Sequence, residues 1–341
     1  MTADQPILKS VDLSIGYRDR KTQDREVARN LNLKLHRGRF VCLLGPNGTG
    51  KSTLIRTLGG LQANLDGEIY LQGNAMASLT PQSRAKQISL VLTGNLPMGI
   101  FSVYSMVALG RHPHTRWNGS LTNNDQVKID WAIRTVKAES LTERHLGELS
   151  DGERQKVMIA RALAQEALVM LLDEPTAFLD VVRRMELMHT LRDLAHEQNL
   201  AILLSTHDLE LALQNSDELW LLSEDGHIIT GAPEALALSG KLGGIFESQE
   251  MKWDSDHGSF KMKREPCLSA SLTGNGPELL WTRRAMSRLG YGISDSESAS
   301  LSIHITKMGS ETQWKVTTER GIDSFNSLEH FTSWLEQLNS Q

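Results

Sequence analysis

Four short apolar runs, at residues 40–44, 88–92, 168–172 and 200–204, punctuate the chain. Five apolar residues with little or no polar alternation suit a strand buried on both faces of a parallel sheet. Helical periodicity lies between them. Leu54, Ile55, Leu58 and Leu61 follow the first run at helix spacing, and Val157, Ala160, Leu163 and Ala164 share one face over 153–165. A further helix is predicted over 183–197. Buried strands alternating with helices predict an α/β fold with a mostly parallel core sheet.

Three other patterns frame that core. Residues 7–17 alternate loosely through Val11, Leu13 and Ile15, and Leu31, Leu33 and Leu35 alternate with Asn32 and Lys34. With a short strand over 68–71, after the Asp66-Gly67 turn, these predict an antiparallel β subdomain; residues 18–29 read as a charged loop. Residues 81–142 carry helical patterns around 102–109 and 124–136, predicting a helical subdomain over about 81–165. Asp225-Gly226 marks a hairpin. The expected domains are residues 1–247, a charged linker over 248–265 containing Gly258, and a small α+β domain over 266–341. That last domain has helix patterns over 278–289 and 327–338 and strand patterns over 268–272, 300–305 and 312–317. Trp281, Trp314 and Trp334 are expected to supply its core.

Composition narrows the function. The chain has 341 residues, 40% hydrophobic and 23% charged, as an ordinary soluble globular protein has. A formal net charge of -5 argues against nucleic acid as a partner. No run approaches the roughly 18–20 apolar residues that span a bilayer, and the N-terminus lacks a basic stretch followed by an apolar one. The expected location is the cytosol, with work at a membrane still open. Cys42 lies inside the first apolar run and is expected to be a buried thiol. With Cys267 as the other cysteine, no disulfide framework is expected.

The chemistry starts where the first buried strand ends. Gly45-Pro46-Asn47-Gly48-Thr49-Gly50-Lys51-Ser52-Thr53 has the spacing G-x-x-x-x-G-K-[ST] between strand and helix. This is a phosphate-binding P-loop: glycines let successive N–H groups face one concavity, and the helix N-terminus adds positive potential. Lys51 then reaches the outer phosphates and Ser52 ligates Mg²⁺. Asp173 and Glu174 close the third run, and Ser205-Thr206-His207-Asp208 closes the fourth. Ligands of parallel sheets collect at the carboxyl ends of strands, so Lys51, Asp173, Glu174 and His207 are expected to meet. Asp173 suits Mg²⁺, and Glu174 suits orientation or deprotonation of water.

Leu149-Ser150-Asp151-Gly152-Glu153-Arg154-Gln155 resembles the signature motif of ABC-type ATPases. Together with the P-loop, residues 168–174, Ala177-Phe178-Leu179-Asp180 and residues 205–208, it completes that family's motif set in order, over about residues 7–245. The resemblance implies ATP and Mg as ligands and a head-to-tail pair of copies. Each ATP would lie between one P-loop and the signature segment of the other copy, held there by Ser150 and Gly152. Glu174 would be the catalytic base, His207 the γ-phosphate sensor, Asp180 an interface residue and Tyr17 the ring against adenine. Two departures stand out. Asp151 occupies a place where the family usually has Gly, and is expected to cap a helix rather than face ATP. Thr93 occupies the place of a Mg²⁺-ligating glutamine, with Asn95 as an alternative ligand.

Residues 103–113 resemble the helical segment of ATPases serving iron-siderophore, haem and cobalamin importers. His112 and His114 within it read as exposed loop histidines rather than metal ligands. The resemblance implies a peripheral subunit on the cytoplasmic face of the membrane. A separate polytopic permease would be its direct partner, and an extracytoplasmic substrate-binding protein an indirect one. The competing readings are a soluble ABC ATPase driving a cytosolic machine and a nucleotide switch that barely hydrolyses.

Overall fold

The computed structural model describes residues 5–18, 24–92, 101–115, 119–177, 179–247, 250–254, 258–262, 268–293, 301–309, 311–319 and 321–339. The chain divides into two units, residues 1–247 with 253–260, and residues 248–252 with 261–341.

The first unit begins with β1 (Leu8–Tyr17), β2 (Arg25–Leu31), β3 (Lys34–Leu35), β4 (Phe40–Leu44), α1 (Lys51–Leu58), β5 (Asp66–Leu71) and β6 (Asn74–Ala75). After α2 (Pro81–Ala85) and β7 (Ile88–Val91) come the helices α3 (Val103–Ala108), α4 (Asn123–Thr135) and α5 (Asp151–Ala164). The chain continues through β8 (Val169–Asp173), α6 (Val181–Glu197), β9 (Ala201–Ser205), α7 (Leu209–Asn215), β10 (Glu218–Leu222), β11 (Ile228–Gly231), α8 (Pro233–Leu238) and α9 (Lys241–Phe246).

Two sheets organise this unit. The core sheet has the order β11-β10-β4-β9-β8-β7, and only its edge pair β10–β11 is antiparallel. Its central strands are buried on both faces, as five apolar residues in succession require. In β4, Phe40, Cys42 and Leu44 face the side covered by α6 and α7, while Val41 and Leu43 belong to the cluster that holds Leu54, Ile55 and Leu58 of α1. Cys42 is fully buried, as its place in the pattern predicts, and burial pushes its thiol up out of the reactive range. Cys267 lies outside the described residues.

The second sheet is antiparallel, with β1 between β2 and β5, β6 beyond β5, and β3 also on β1. Part of the expected charged loop is therefore a strand. In β2, Ala28 and Leu31 are buried while Arg25, Glu26 and Arg29 face outward. A half-exposed strand of that composition lacks the apolar alternation that marks strands in sequence.

The helical layer is held by one buried cation. Arg111, in the 3₁₀ turn after α3, donates from Nε to Asp125 Oδ1 at 2.8 Å. Its Nη1 donates to the Ala164 carbonyl at 2.8 Å and to Glu166 Oε2 at 2.6 Å. The N-terminus of α4 and the C-terminus of α5 are thereby tied to one side chain. Asp125 also closes a capping box with Thr122. Hydrogen bonds from Thr122, followed by Arg111, overcome burial and hold the Asp125 carboxyl down at about 2. His112 is exposed as expected. His114 is only half-exposed, with Nε2 at 2.9 Å from the Gln165 carbonyl.

The span expected to be a linker contains a two-stranded hairpin, β12 (Met251–Asp254) and β13 (Ser259–Met262). Trp253 is buried against Phe260, and its backbone N–H donates to Glu247 Oε1 at 2.9 Å. The charged residues around Trp253 conceal this anchor in the sequence.

The second unit contains β14 (Leu268–Thr273), α10 (Pro277–Arg288), β15 (Tyr291–Ile293), β16 (Leu301–Met308), β17 (Glu311–Thr318), β18 (Gly321–Phe325) and α11 (Leu328–Asn339). Its sheet runs β15-β14-β16-β17-β18. Ile303, Val316, Met286 and Phe331 form its core. Trp314 is buried there and donates to the buried Thr282 hydroxyl at 2.8 Å, and Trp334 packs at the margin. Trp281 is not a core residue. It lies on the outer face of α10, 54% exposed, with the Arg284 guanidinium 5.0 Å from its ring centre.

Candidate nucleotide-binding site

The P-loop leaves the buried end of β4 and enters α1. A Cβ on Gly45 would lie 2.2 Å from the Leu222 carbonyl oxygen, so no side chain fits there. Gly50 caps α1 with φ 104°, a left-handed conformation that costs other residues strain, and a Cβ there would meet Val27 at 2.2 Å. The turn between them is closed by Thr49, whose hydroxyl donates to the Pro46 carbonyl at 2.9 Å. Asn47 and Gly48 are its exposed tip. Lys51 is 6% exposed and donates from Nζ to the carbonyls of Gly45 at 2.8 Å and Pro46 at 3.0 Å. Burial lowers its pKa, while the charges of Glu174 and Asp173 act in the opposite sense.

Two carboxylates face this loop from the end of β8. Asp173 accepts hydrogen bonds at Oδ1 from Ser52 and Ser205, each at 2.9 Å. Its Oδ2 is buried and has no hydrogen-bond partner among the described residues. A buried carboxylate oxygen without a partner is costly, and beside a hydroxyl it is the oxygen donor set a hard divalent cation takes. Asp173 and Ser52 therefore fit Mg²⁺. Thr93 and Asn95, expected to contribute to the same ion, lie outside the described residues.

Glu174 follows the strand with φ 46°, left-handed for a residue other than glycine. Its N–H is shared between the Ser205 carbonyl at 3.2 Å and the Ser205 hydroxyl at 2.9 Å. His207 Nδ1 is 4.0 Å from Glu174 Oε2. Lys51, Asp173, Glu174 and His207 thus meet at adjoining strand ends. Ser205 is the site residue that sequence reasoning misses. It lies opposite Asp173 in the β8–β9 register, bonding that carboxylate and the Glu174 amide. The available signal is its place as the first polar residue after 200–204.

The remaining candidates sit on three elements. Tyr17 ends β1, is 50% exposed, and its hydroxyl is 3.0 Å from that of Thr53 in α1. That contact ties the half-exposed Tyr17 to the P-loop helix. Ser150 caps α5 in a box with Glu153, its N–H and hydroxyl each 2.8 Å from Glu153 Oε2. Those bonds from Ser150 outweigh burial and hold the Glu153 carboxyl below its ordinary range. The N-cap is Ser150 rather than the Asp151 expected there. Gly152 is buried in the first turn, where a Cβ would meet Arg183 at 3.0 Å and Leu179 at 3.2 Å. Asp180 caps α6, accepting from the Arg183 N–H at 2.9 Å. Arg184 fixes the adjoining backbone by donating to the Leu179 carbonyl at 2.8 Å. Phe178 lies outside the described residues.

Comparison with known proteins places this geometry among relatives. A family model described as ABC transporter matches residues 28–177, and one described as Iron ABC transporter C-terminal domain matches residues 267–336. The chain is 40% identical over 266 residues to an uncharacterized ABC transporter ATP-binding protein of Methanocaldococcus jannaschii, covering 78% of this chain and 90% of the relative. It is 32% identical over 275 residues to the iron(3+)-hydroxamate import ATP-binding protein of Bacillus subtilis, covering 80% and 98%. Among solved structures it is similar to cbiO1 from Clostridium perfringens, part of the ABC transporter complex cbiONQ. That likeness has a TM-score of 0.61 and 26% identity, and covers 70% of this chain and 93% of that chain.

Proposed function

The chain belongs to the ABC transporter ATP-binding family, and from that premise we propose that it powers import of a metal chelate by hydrolysing ATP. The observation that carries the hydrolytic part is the convergence of Lys51, Ser52, Asp173, Glu174 and His207 at neighbouring strand ends. The import part draws on the iron(3+)-hydroxamate importer subunit, whose length this chain nearly spans, and on the C-terminal match to an iron transporter domain. No helix among the described residues is long and apolar enough to cross a membrane. A subunit that powers transport then needs a separate membrane-spanning permease, and works peripherally on its cytoplasmic face. An external substrate-binding protein would deliver the chelate.

The residues divide the labour. The P-loop amides and Lys51 hold the outer phosphates of ATP. Ser52 and Asp173 would hold Mg²⁺, which supplies neutralising charge to those phosphates when bound. Glu174 takes the proton from water attacking the γ-phosphate, and His207 orients against the same group from the next strand. Tyr17 stacks on the base. A second copy would offer Ser150 and Gly152 to the γ-phosphate, with Asp180 at the boundary. ATP favours the closed pair because it touches both copies only there.

Two experiments test this reading. Gentle affinity purification from native membranes is expected to bring down a polytopic membrane protein in stoichiometric amount. Recovery with a soluble cytosolic complex instead would overturn the importer reading and leave the ATP site standing. Ser52→Ala is expected to weaken ATP binding in Mg²⁺ by about tenfold, the scale of one lost contact to a charged group. Its binding in chelator should change much less. Titration of a fluorescent nucleotide in both buffers reads the difference; identical losses in both would remove Ser52 from the ion.

A further inference from the structure

The first turn of α5 carries a charge that its proposed role does not want. Asp151 sits between Ser150 and Gly152, the two residues assigned to the partner copy's ATP, and its side chain is 64% exposed. A carboxylate at a helix N-terminus is favourable for the helix itself. Beside an incoming triphosphate the same carboxylate repels. Arg154, one turn along, meets it at 2.8 Å from Nη1 to Oδ1. The guanidinium is also anchored from outside the helix, where Nε donates to the Leu146 carbonyl at 3.2 Å. The other carboxylate of this turn, Glu153, has Arg144 at 3.3 Å as well as Ser150. Each acid of the turn thus has its own cation.

We propose that Arg154 is a positioning residue for nucleotide: it cancels the charge of Asp151 and holds that carboxylate along the helix, so that a triphosphate can approach Ser150. The proposal rests on the reading of Ser150 as a nucleotide contact of the second copy. It concerns electrostatics of approach, so Arg154 acts on ATP affinity through Asp151 and not on the chemical step.

The test is steady-state ATPase kinetics of the full chain at low and high salt for Arg154→Met, Arg154→Met with Asp151→Asn, and Ser150→Ala. Arg154→Met is expected to raise KM for ATP about tenfold at low ionic strength with kcat within about twofold, because uncovering a surface charge alters encounter more than chemistry. Salt should shrink that penalty, since exposed charges are screened. Adding Asp151→Asn should restore KM to within about twofold of the parent, as neither charge is then present. A double variant as impaired as Arg154→Met, or a penalty indifferent to salt, would show that Arg154 touches nucleotide itself or only braces the Leu146 turn, and would overturn the proposal. Ser150→Ala separates the two levels: if it changes neither KM nor kcat, the reading of this turn as a nucleotide contact falls. If it impairs the enzyme while Arg154→Met does not, only the role of Arg154 falls.

Discussion

Replacing Glu174 with Gln is expected to lower steady-state ATP turnover by about 10²-fold or more and to leave the chain as a long-lived ATP-bound pair. The amide keeps the shape of the carboxylate but cannot take a proton from water. Backbone placement should survive the change. The N–H of residue 174 is held by the Ser205 carbonyl and hydroxyl whatever the side chain is, and φ of 46° is set by that turn. Of the ATP-holding groups, Lys51 bonds loop carbonyls, Ser52 bonds Asp173, and Asp173 also accepts from Ser205, so nucleotide affinity should be retained. Binding energy that normally ends with hydrolysis would then keep the closed state populated. Light scattering after size exclusion should give a doubled mass with ATP and Mg²⁺ and a monomer with ADP. Turnover within about threefold of the parent would strip Glu174 of the base role, because general-base catalysis supplies at least about 10².

How far this site is legible in sequence depends on how local its causes are. The P-loop is readable because its constraints are local: Gly45 and Gly50 admit no Cβ, and the strand before them is apolar on both faces. Asp173 and Glu174 are readable because they end an apolar run. Ser205 also ends an apolar run, but its role is not readable there, because that role lies in register, which sets Ser205 opposite Asp173 across two strands far apart in the chain. The β2 strand hides for a related reason: half of it faces outward with charges, and only pairing to β1 makes it a strand. Trp281 misleads in the opposite sense. Its size suggests a core residue, but helix phase places Thr282 and Met286 inward and leaves the indole outside beside Arg284. The Arg111 network was the least legible of all, since its charges look like ordinary surface residues until α4 and α5 are brought together.

That network makes the other large prediction. Arg111→Met is expected to destabilise the nucleotide-binding unit by about 3–5 kcal/mol, the cost of removing one partner from a buried ion pair. The substituent fills similar length and is apolar, so little of the loss is packing. The cost arises from what stays behind. Asp125 is 5% exposed and would keep, among the described residues, its Thr122 partners, and Glu166 would keep Lys128. The pH dependence identifies this cause. The Asp125 carboxyl titrates at about 2 in the folded chain against an ordinary 3.8, so its contribution to stability is present above about pH 4 and lost as pH falls towards 2. Burial pushes Glu166 up, but bonds from Lys128 and Arg111 outweigh it and leave its carboxyl below the ordinary range, giving the same sign. Without Arg111 both carboxyls lose a stabilising cation, protonate at higher pH and shed their desolvation cost. The stability gap between parent and variant should therefore be widest near pH 7 and narrow as pH falls below about 4, where the carboxyls that have lost Arg111 protonate first. Urea unfolding of the two proteins across that range, followed by far-ultraviolet circular dichroism, reads the gap. A constant gap would mean that Arg111 contributes packing and a backbone bond to Ala164 rather than charge balance.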